Sequence, residues 1–257
     1  DDSTAASAES KKKSAHMAEI HQRIMAQGGV RGIIEAMKGP CSGDGAVLMS
    51  SLETLASLSG VETLIVSNMI PLGLLEIILD TMKQYDWDSG IMERATGLIV
   101  ALSYFEDCVD DLADLGVMDV LVQCMEQHEE NHEILQNVQV SFTNMSINFE
   151  EQEHIVNHGA LDAMLVQLTK KPEGDATEEQ LEQIHEHHLE IITTLTRIAC
   201  TDEFSGVIGT KGMSEILGTY EVHVGMDLDG TPEYIAALLT LVSQLAFHQE
   251  NLKYDKK

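Results

Sequence analysis

A short helical run, a glycine and a second apolar helical run recur along this chain at a near-constant interval, and that recurrence limits its fold more than any other feature. Residues 153–168 read EHIVNHGALDAMLVQL, residues 108–125 read CVDDLADLGVMDVLVQCM, and residues 20–37 read IHQRIMAQGGVRGIIEAM. Gly116 and Gly159 are 43 residues apart, and Gly28 precedes Gly116 by 88, close to two such intervals. Glycine takes positive φ at little cost, so it ends one helix and turns the chain sharply into the next. The interval predicts a degenerate copy midway, in LIVSNMIPLGLLEIIL (64–79), with Asn68-Met69 in place of the glycine. It also predicts a fifth turn at Gly212, 53 residues after Gly159, delayed by the polar insertion KPEGDATEEQ at 171–180.

Longer helical patterns separate these pairs: GAVLMSSLETLASL (45–58), MERATGLIVALSYF (92–105), ILQNVQVSFTNMSI (134–147), HLEIITTLTRIAC (188–200) and YIAALLTLVSQLAF (234–247). In the third of them Leu135, Val138, Phe142 and Met145 share one helical face. Each unit thus reads as a short helix, a glycine turn, a second helix and a long third helix. Composition agrees: aromatics are 4% and prolines number four in 257 residues, which suits helices packed through aliphatic side chains.

Three helices repeating at about 43 residues fall in the armadillo range. The chain resembles armadillo-repeat proteins from about residue 15 to 251, most closely over SFTNMSINFEEQEHIVNHGALDAMLVQL (141–168). The resemblance implies an all-α, right-handed α-solenoid of about five armadillo-like three-helix repeats, flanked by a disordered polar tail (1–14) and a polar C-terminal tail (252–257). It further implies that the third helices line a concave groove for a partner. In the family the groove code is an asparagine on each third helix, with a tryptophan four residues earlier. Here the asparagine position reads Ser57, Ala101, Asn144, Arg197 and Gln244, and the earlier position includes Val140, Thr193 and Thr240. Only Asn144 matches and no tryptophan does, which argues against capture of a long peptide in the manner of an import receptor. Asn144 is expected to cap or cross-link helices. Arg197 is expected to pair with a neighbouring carboxylate or to clamp one on a partner.

Lys and Arg total 15 against 43 Asp and Glu, a formal charge of −28. Such a molecule repels nucleic-acid backbones and attracts basic protein segments. Glu106, Asp107, Asp110 and Asp111, then Glu129 and Glu130, then Glu150 and Glu151 recur near the repeat period, which predicts an acidic edge. Cys41, Cys108, Cys124 and Cys200 are widely spaced with no CxxC pair, as in a reduced cytoplasmic protein without structural zinc. The apolar run at 97–102 is too short to span a bilayer. The sequence opens at Asp1 rather than Met, so any lipid anchor is expected upstream of it.

Chemical motifs fail on inspection. IHEHHLE (184–190) has Leu189 where a zinc-binding HExxH needs histidine, and Ile155 stands where the pair His154 and His158 would need glutamate. DLDG (227–230) lacks calcium-loop spacing and reads as a turn into a helix begun by Thr231-Pro232. No catalytic, metal or cofactor site is expected. The resulting expectation is a non-enzymatic adaptor, similar to stand-alone proteins of the armadillo-repeats-only kind. It would hold a basic or polar protein segment in its groove and on its acidic edge, and link a motor or membrane-associated protein to an organelle. The alternatives are a regulatory module, such as a myosin or Hsp70 co-chaperone or a small-GTPase regulator, and then a nuclear-import-type peptide receptor.

Overall fold

The computed structural model describes residues 19–20, 23–24, 26–39, 42–59, 68–172, 174, 176–226 and 228–247. The two expected tails, Cys41, residues 64–67 and Asp227 lie outside them. Helices account for the regular structure, with no strand among the described residues. The chain divides into two compact units, 1–115 and 116–257.

The first unit contains α1 (Gly29–Lys38), α2 (Gly45–Leu58), a 3₁₀ turn (Ile70–Leu72), α3 (Leu74–Gln84), α4 (Ser89–Ser103) and α5 (Glu106–Asp114). Second helices pack on second helices, α1 on α3, and third on third, α2 on α4. The core forms from their aliphatic stripes, with Leu52, Leu55, Ile91, Leu98, Ile99 and Leu102 fully buried. The second unit follows the same plan with α6 (Val117–Gln127), α7 (His132–Met145), α8 (Phe149–Asn157), α9 (Ala160–Leu168), α10 (Glu178–Ile198), α11 (Asp202–Met226) and α12 (Thr231–Phe247). Here α6, α9 and α11 stack in succession, as do α7, α10 and α12.

Local chemistry explains the boundaries. Gly28, Gly73, Gly116 and Gly159 all sit at positive φ, between 74° and 85°, immediately before second helices. The second copy is therefore not degenerate. Its turn is Gly73, five residues beyond Asn68, and a 3₁₀ turn carrying Pro71 leads into it. Third helices open on side-chain caps at nearly the same period. Asp44 accepts from the Ala46 and Val47 amides, Asp88 from Ile91, Asn131 from Ile134, and Thr177 forms a capping box with Gln180.

The fifth repeat departs from expectation. There is no turn at Gly212: α11 runs unbroken for 25 residues and fuses the first and second helices of that unit. Gly212 is buried where α11 crosses α9, and a β-carbon there would lie 2.4 Å from Leu165 Cδ2. This glycine lets two helices approach instead of turning one. Lys211 clamps the same crossing with an ion pair to Asp162 at 2.8 Å. The insertion also differs from expectation, because Thr177 caps a helix that begins at Glu178. As a result α10 is 21 residues long and takes in the histidine run.

Candidate functional site

In the second unit α7, α10 and α12 lie side by side. Polar groups join them across their length. Gln139 Nε2 donates to Thr194 Oγ1 at 2.9 Å, and the Thr143 and Thr194 hydroxyls meet at 2.7 Å. Arg197 donates to the Thr143 carbonyl and to Ser146 Oγ at 3.3 Å, so within the chain it binds the C-terminal end of α7 rather than a neighbouring carboxylate. Gln244 Nε2 reaches back to Cys200 Sγ at 3.5 Å. Arg197 and Gln244 thus use the groove position to bind the preceding repeat. Asn144 and Val140 are half-buried on α7. Thr193 and Thr240 are exposed and donate to carbonyls one turn back on their own helices, Leu189 and Ala236, at 2.8 Å each. In the first unit Ser57 is exposed and donates to the Glu53 carbonyl at 2.9 Å, while Ala101 is half-buried.

Eleven residues before Asn144, Arg197 and Gln244 stand Glu133, Glu186 and Glu233, each exposed. Eleven residues are close to three helical turns, so each glutamate shares a stripe with its groove residue. On α10 the stripe also carries Glu190, whose Oε2 lies 3.3 Å from Thr143 Oγ1. Glu186 and Glu233 both act on His185 electrostatically, and Glu186 acts on His132 of α7 as well, which brings the three helices' N-terminal halves into one field. This glutamate row was missed in the sequence. Reading the register upstream from the asparagine position would have found it.

The expected acidic edge is split. Glu106, Asp107, Asp110 and Asp111 are exposed on α5. In the second unit Glu129 and Glu130 precede α7, whereas Glu150 follows it, and a 14-residue helix of about 21 Å separates them. Glu151 is only 3% exposed and presents no charge to solvent. Lys170 donates to the Glu129 carbonyl at 2.8 Å and pairs with its carboxylate at 3.3 Å, neutralising part of that end.

The histidine run forms a buried network. His188 Nε2 faces the Gln167 carbonyl at 3.1 Å, His188 Nδ1 faces His223 Nε2 at 3.0 Å, and His223 Nδ1 faces His185 Nδ1 at 3.0 Å. A carbonyl only accepts, so a neutral His188 holds its proton on Nε2. His223 then donates from Nε2 to His188, and His223 Nδ1 faces His185, which also makes a backbone hydrogen bond at Gly230. Tyr234 stacks on His223 with ring centroids 3.5 Å apart. Burial pushes His188 down to about 4 and His223 to about 3, and it lowers His185 too. No cluster of three metal-ligating side chains placed to hold an ion occurs among the described residues. Cys108 and Cys124 are buried as small hydrophobes, and burial pushes the Cys124 thiol up to about 12, while Cys200 is exposed. No described helix is long and apolar enough to cross a membrane.

No known sequence family and no curated protein matches this chain. Solved structures do. A designed armadillo repeat protein, YIII(Dq.V1)4CPAF, in complex with the peptide (KR)4 aligns over 87% of this chain and 85% of its own, with 15% identity and a TM-score of 0.68. Computationally designed armadillo repeat proteins for modular peptide recognition align over 87% and 86%, with 16% identity and a TM-score of 0.69. A further designed armadillo repeat protein, YIII(Dq)4CqI, aligns over 87% and 85%, with 18% identity and a TM-score of 0.63. At these identities the likeness concerns architecture, and with the stacked second and third helices it establishes that this chain has the all-α solenoid fold of armadillo repeats.

Proposed function

We propose that this chain is a non-enzymatic interaction scaffold that holds an extended, basic protein segment against the third helices α7, α10 and α12. The observation that carries the reading is the row Glu133, Glu186 and Glu233, one exposed carboxylate per helix in a shared register. Packed helices lie about 8–10 Å apart, and an extended peptide advances about 3.3 Å per residue. The row therefore meets a cationic side chain at roughly every third residue of a peptide lying across the helices. The net charge of −28 adds long-range attraction for such a segment and disfavours nucleic acid. One of the structurally similar designed proteins is itself bound to a Lys/Arg peptide. On this reading the protein is an adaptor in the cytoplasm, and its groove residues Arg197 and Gln244 stiffen the platform while the glutamates make the contacts.

Fluorescence anisotropy with a dye-labelled (KR)4 peptide and an all-glutamate peptide of equal length as control tests the reading. The basic peptide should bind, and its affinity should fall steeply with salt. Each of Glu133→Lys, Glu186→Lys and Glu233→Lys should weaken binding by roughly threefold to tenfold, as expected for exposed charge pairs. Equal binding of both peptides, or reversals without effect, would reject it.

A further inference from the structure

Repeat stacking gives each register position on a third helix a role, and α12 keeps apolar residues at covered positions while exposing them. Nine, five and two residues before the groove position, and two after it, α7 carries Leu135, Gln139, Phe142 and Ser146, all buried. The same places on α10 are His188, Ile192, Leu195 and Ala199, also buried. The next third helix is what covers them. Gln139 Nε2 reaches Thr194 of α10 at 2.9 Å, and α12 packs on α10 in turn. On α12 these places are Ile235, Leu239, Val242 and Ala246, one apolar stripe spaced i, i+4, i+7 and i+11. Here Leu239 is 61% exposed, Ala246 is exposed, and Ile235 and Val242 are half-buried.

The neighbouring helix repeats the pattern. Five and eight residues after the turn glycine, α6 buries Leu121 and Cys124, and α9 buries Met164 and Gln167. Counted from Gly212, the same places on α11 are Leu217 and Tyr220, each 49% exposed, with Val224 equally exposed one turn on. Because α11 packs on α12, the two stripes adjoin. Single exposed hydrophobic residues are ordinary, but adjoining stripes in register with positions twice buried by a following repeat form a docking face.

Charge selects the occupant. In a chain of net charge −28, α12 carries no charged side chain after Glu233, and only Glu221 stands at the edge of the α11 stripe. The face therefore offers no row of carboxylates to a basic segment, and it lets two acidic molecules meet without charges opposed across its centre. The first unit offers no counterpart for a head-to-tail contact. The exposed residues of α2 are Ala46, Ser50, Glu53, Thr54 and Ser57, and no large hydrophobic side chain of α1 or α2 is exposed. A second copy matches the face by bringing the same face, which closes a two-fold dimer and ends the assembly there. We infer that α11 and α12 are the pairing face of a symmetric homodimer, continuing across the two-fold axis the packing that joins α10 to α12. The inference does not rest on the glutamate row.

Sedimentation velocity of the full chain across a concentration series, in low and in high salt, tests the pairing. A dimer should form and tighten with salt, as repulsion between the acidic copies is screened, the reverse of the salt effect on a bound basic peptide. Leu239→Glu meets solvent in the monomer but sets an unpaired charge inside the dimer face. It should weaken dimerisation by about tenfold or more and leave the helical circular dichroism unchanged. Ser50→Glu on α2 should change neither. A dimer that survives Leu239→Glu would overturn the inference, and so would assemblies that grow past the dimer with concentration, which would mean head-to-tail stacking. A monomer at every concentration would overturn it as well, and the melting of Leu239→Glu then distinguishes the remaining occupants. A lowered midpoint means that a segment of the same chain covers the face, and an unchanged one assigns it to a different protein.

Discussion

At the residue scale, Gly212 shows how one residue type serves two purposes in one repeat design. Four glycines ahead of second helices occupy positive φ, whereas Gly212 is helical and buried against Leu165. Alanine there brings a methyl to 2.4 Å from Leu165 Cδ2, so Leu165 must leave its position in a packed core. Gly212→Ala should cost about 1–3 kcal/mol, against the roughly 1 kcal/mol that alanine normally gains over glycine inside a helix. The cycle with Leu165→Val separates these terms. If the clash dominates, Gly212→Ala is less costly in the Leu165→Val background, and urea unfolding of the four proteins reads the coupling. An additive cycle would mean that Gly212 is not held by this contact. Periodicity in the sequence marked Gly212 as important but assigned it the wrong purpose. A spacing argument sees that a glycine is present, not whether its backbone turns or its missing side chain makes room.

At the scale of the element, third helices were the most legible part of the chain. The expected 45–58 coincides with α2, and α4, α7 and α12 lie within three residues of expectation at each end. Their apolar stripes and end signals agree, so local and tertiary preferences point the same way. The polar insertion hid the start of α10, because a low-hydrophobicity stretch looks like loop until Thr177 and Gln180 are seen as a capping box. The candidate site was less legible than the fold. Arg197 was placed correctly on its helix, but its partner, the Thr143 carbonyl, is 54 residues away and belongs to the preceding repeat. A groove code also biases attention toward one register position, which is how the glutamates three turns earlier were overlooked. The long fused helix α11 gives a prediction at this scale. Gly218 is exposed in the interior of α11 and a β-carbon there meets nothing within 4 Å. Gly218→Ala should therefore stabilise the helix by about 0.5–1 kcal/mol, visible as a raised thermal midpoint. Loss of stability would show that α11 tolerates less helix than its length implies.

At the scale of the whole molecule, titratable groups are unevenly distributed between the two compact units. His185, His187, His188 and His223 are all buried in the second unit, which holds nine of the eleven histidines, and the first unit's His16 and His21 lie outside the described residues. Burial lowers each of them, His187 and His223 to about 3 and His188 to about 4. Unfolding returns them to an ordinary histidine near 6.5, so below that pH the unfolded chain binds more protons than the folded one. Stability is therefore complete above about pH 6.5 and declines as pH falls toward about 4, by up to about 1.4 kcal/mol per pH unit for each histidine. Glu186 and Glu233 beside His185 moderate its share, whereas Lys170 and His132 sharpen that of His187. Relief of self-repulsion among carboxylates acts in the opposite direction, but carboxylates titrate mainly near pH 4, below most of this window. Hydrogen exchange at pH 7 and pH 5.5, corrected for the intrinsic rate, should thus show protection lost first in α10 and α11, with α2 and α4 changed little. Replacing His187 with phenylalanine should flatten the pH dependence by about one histidine's share. Uniform loss across both units would instead assign acid sensitivity to global charge, because only burial of the imidazoles confines it to the second unit.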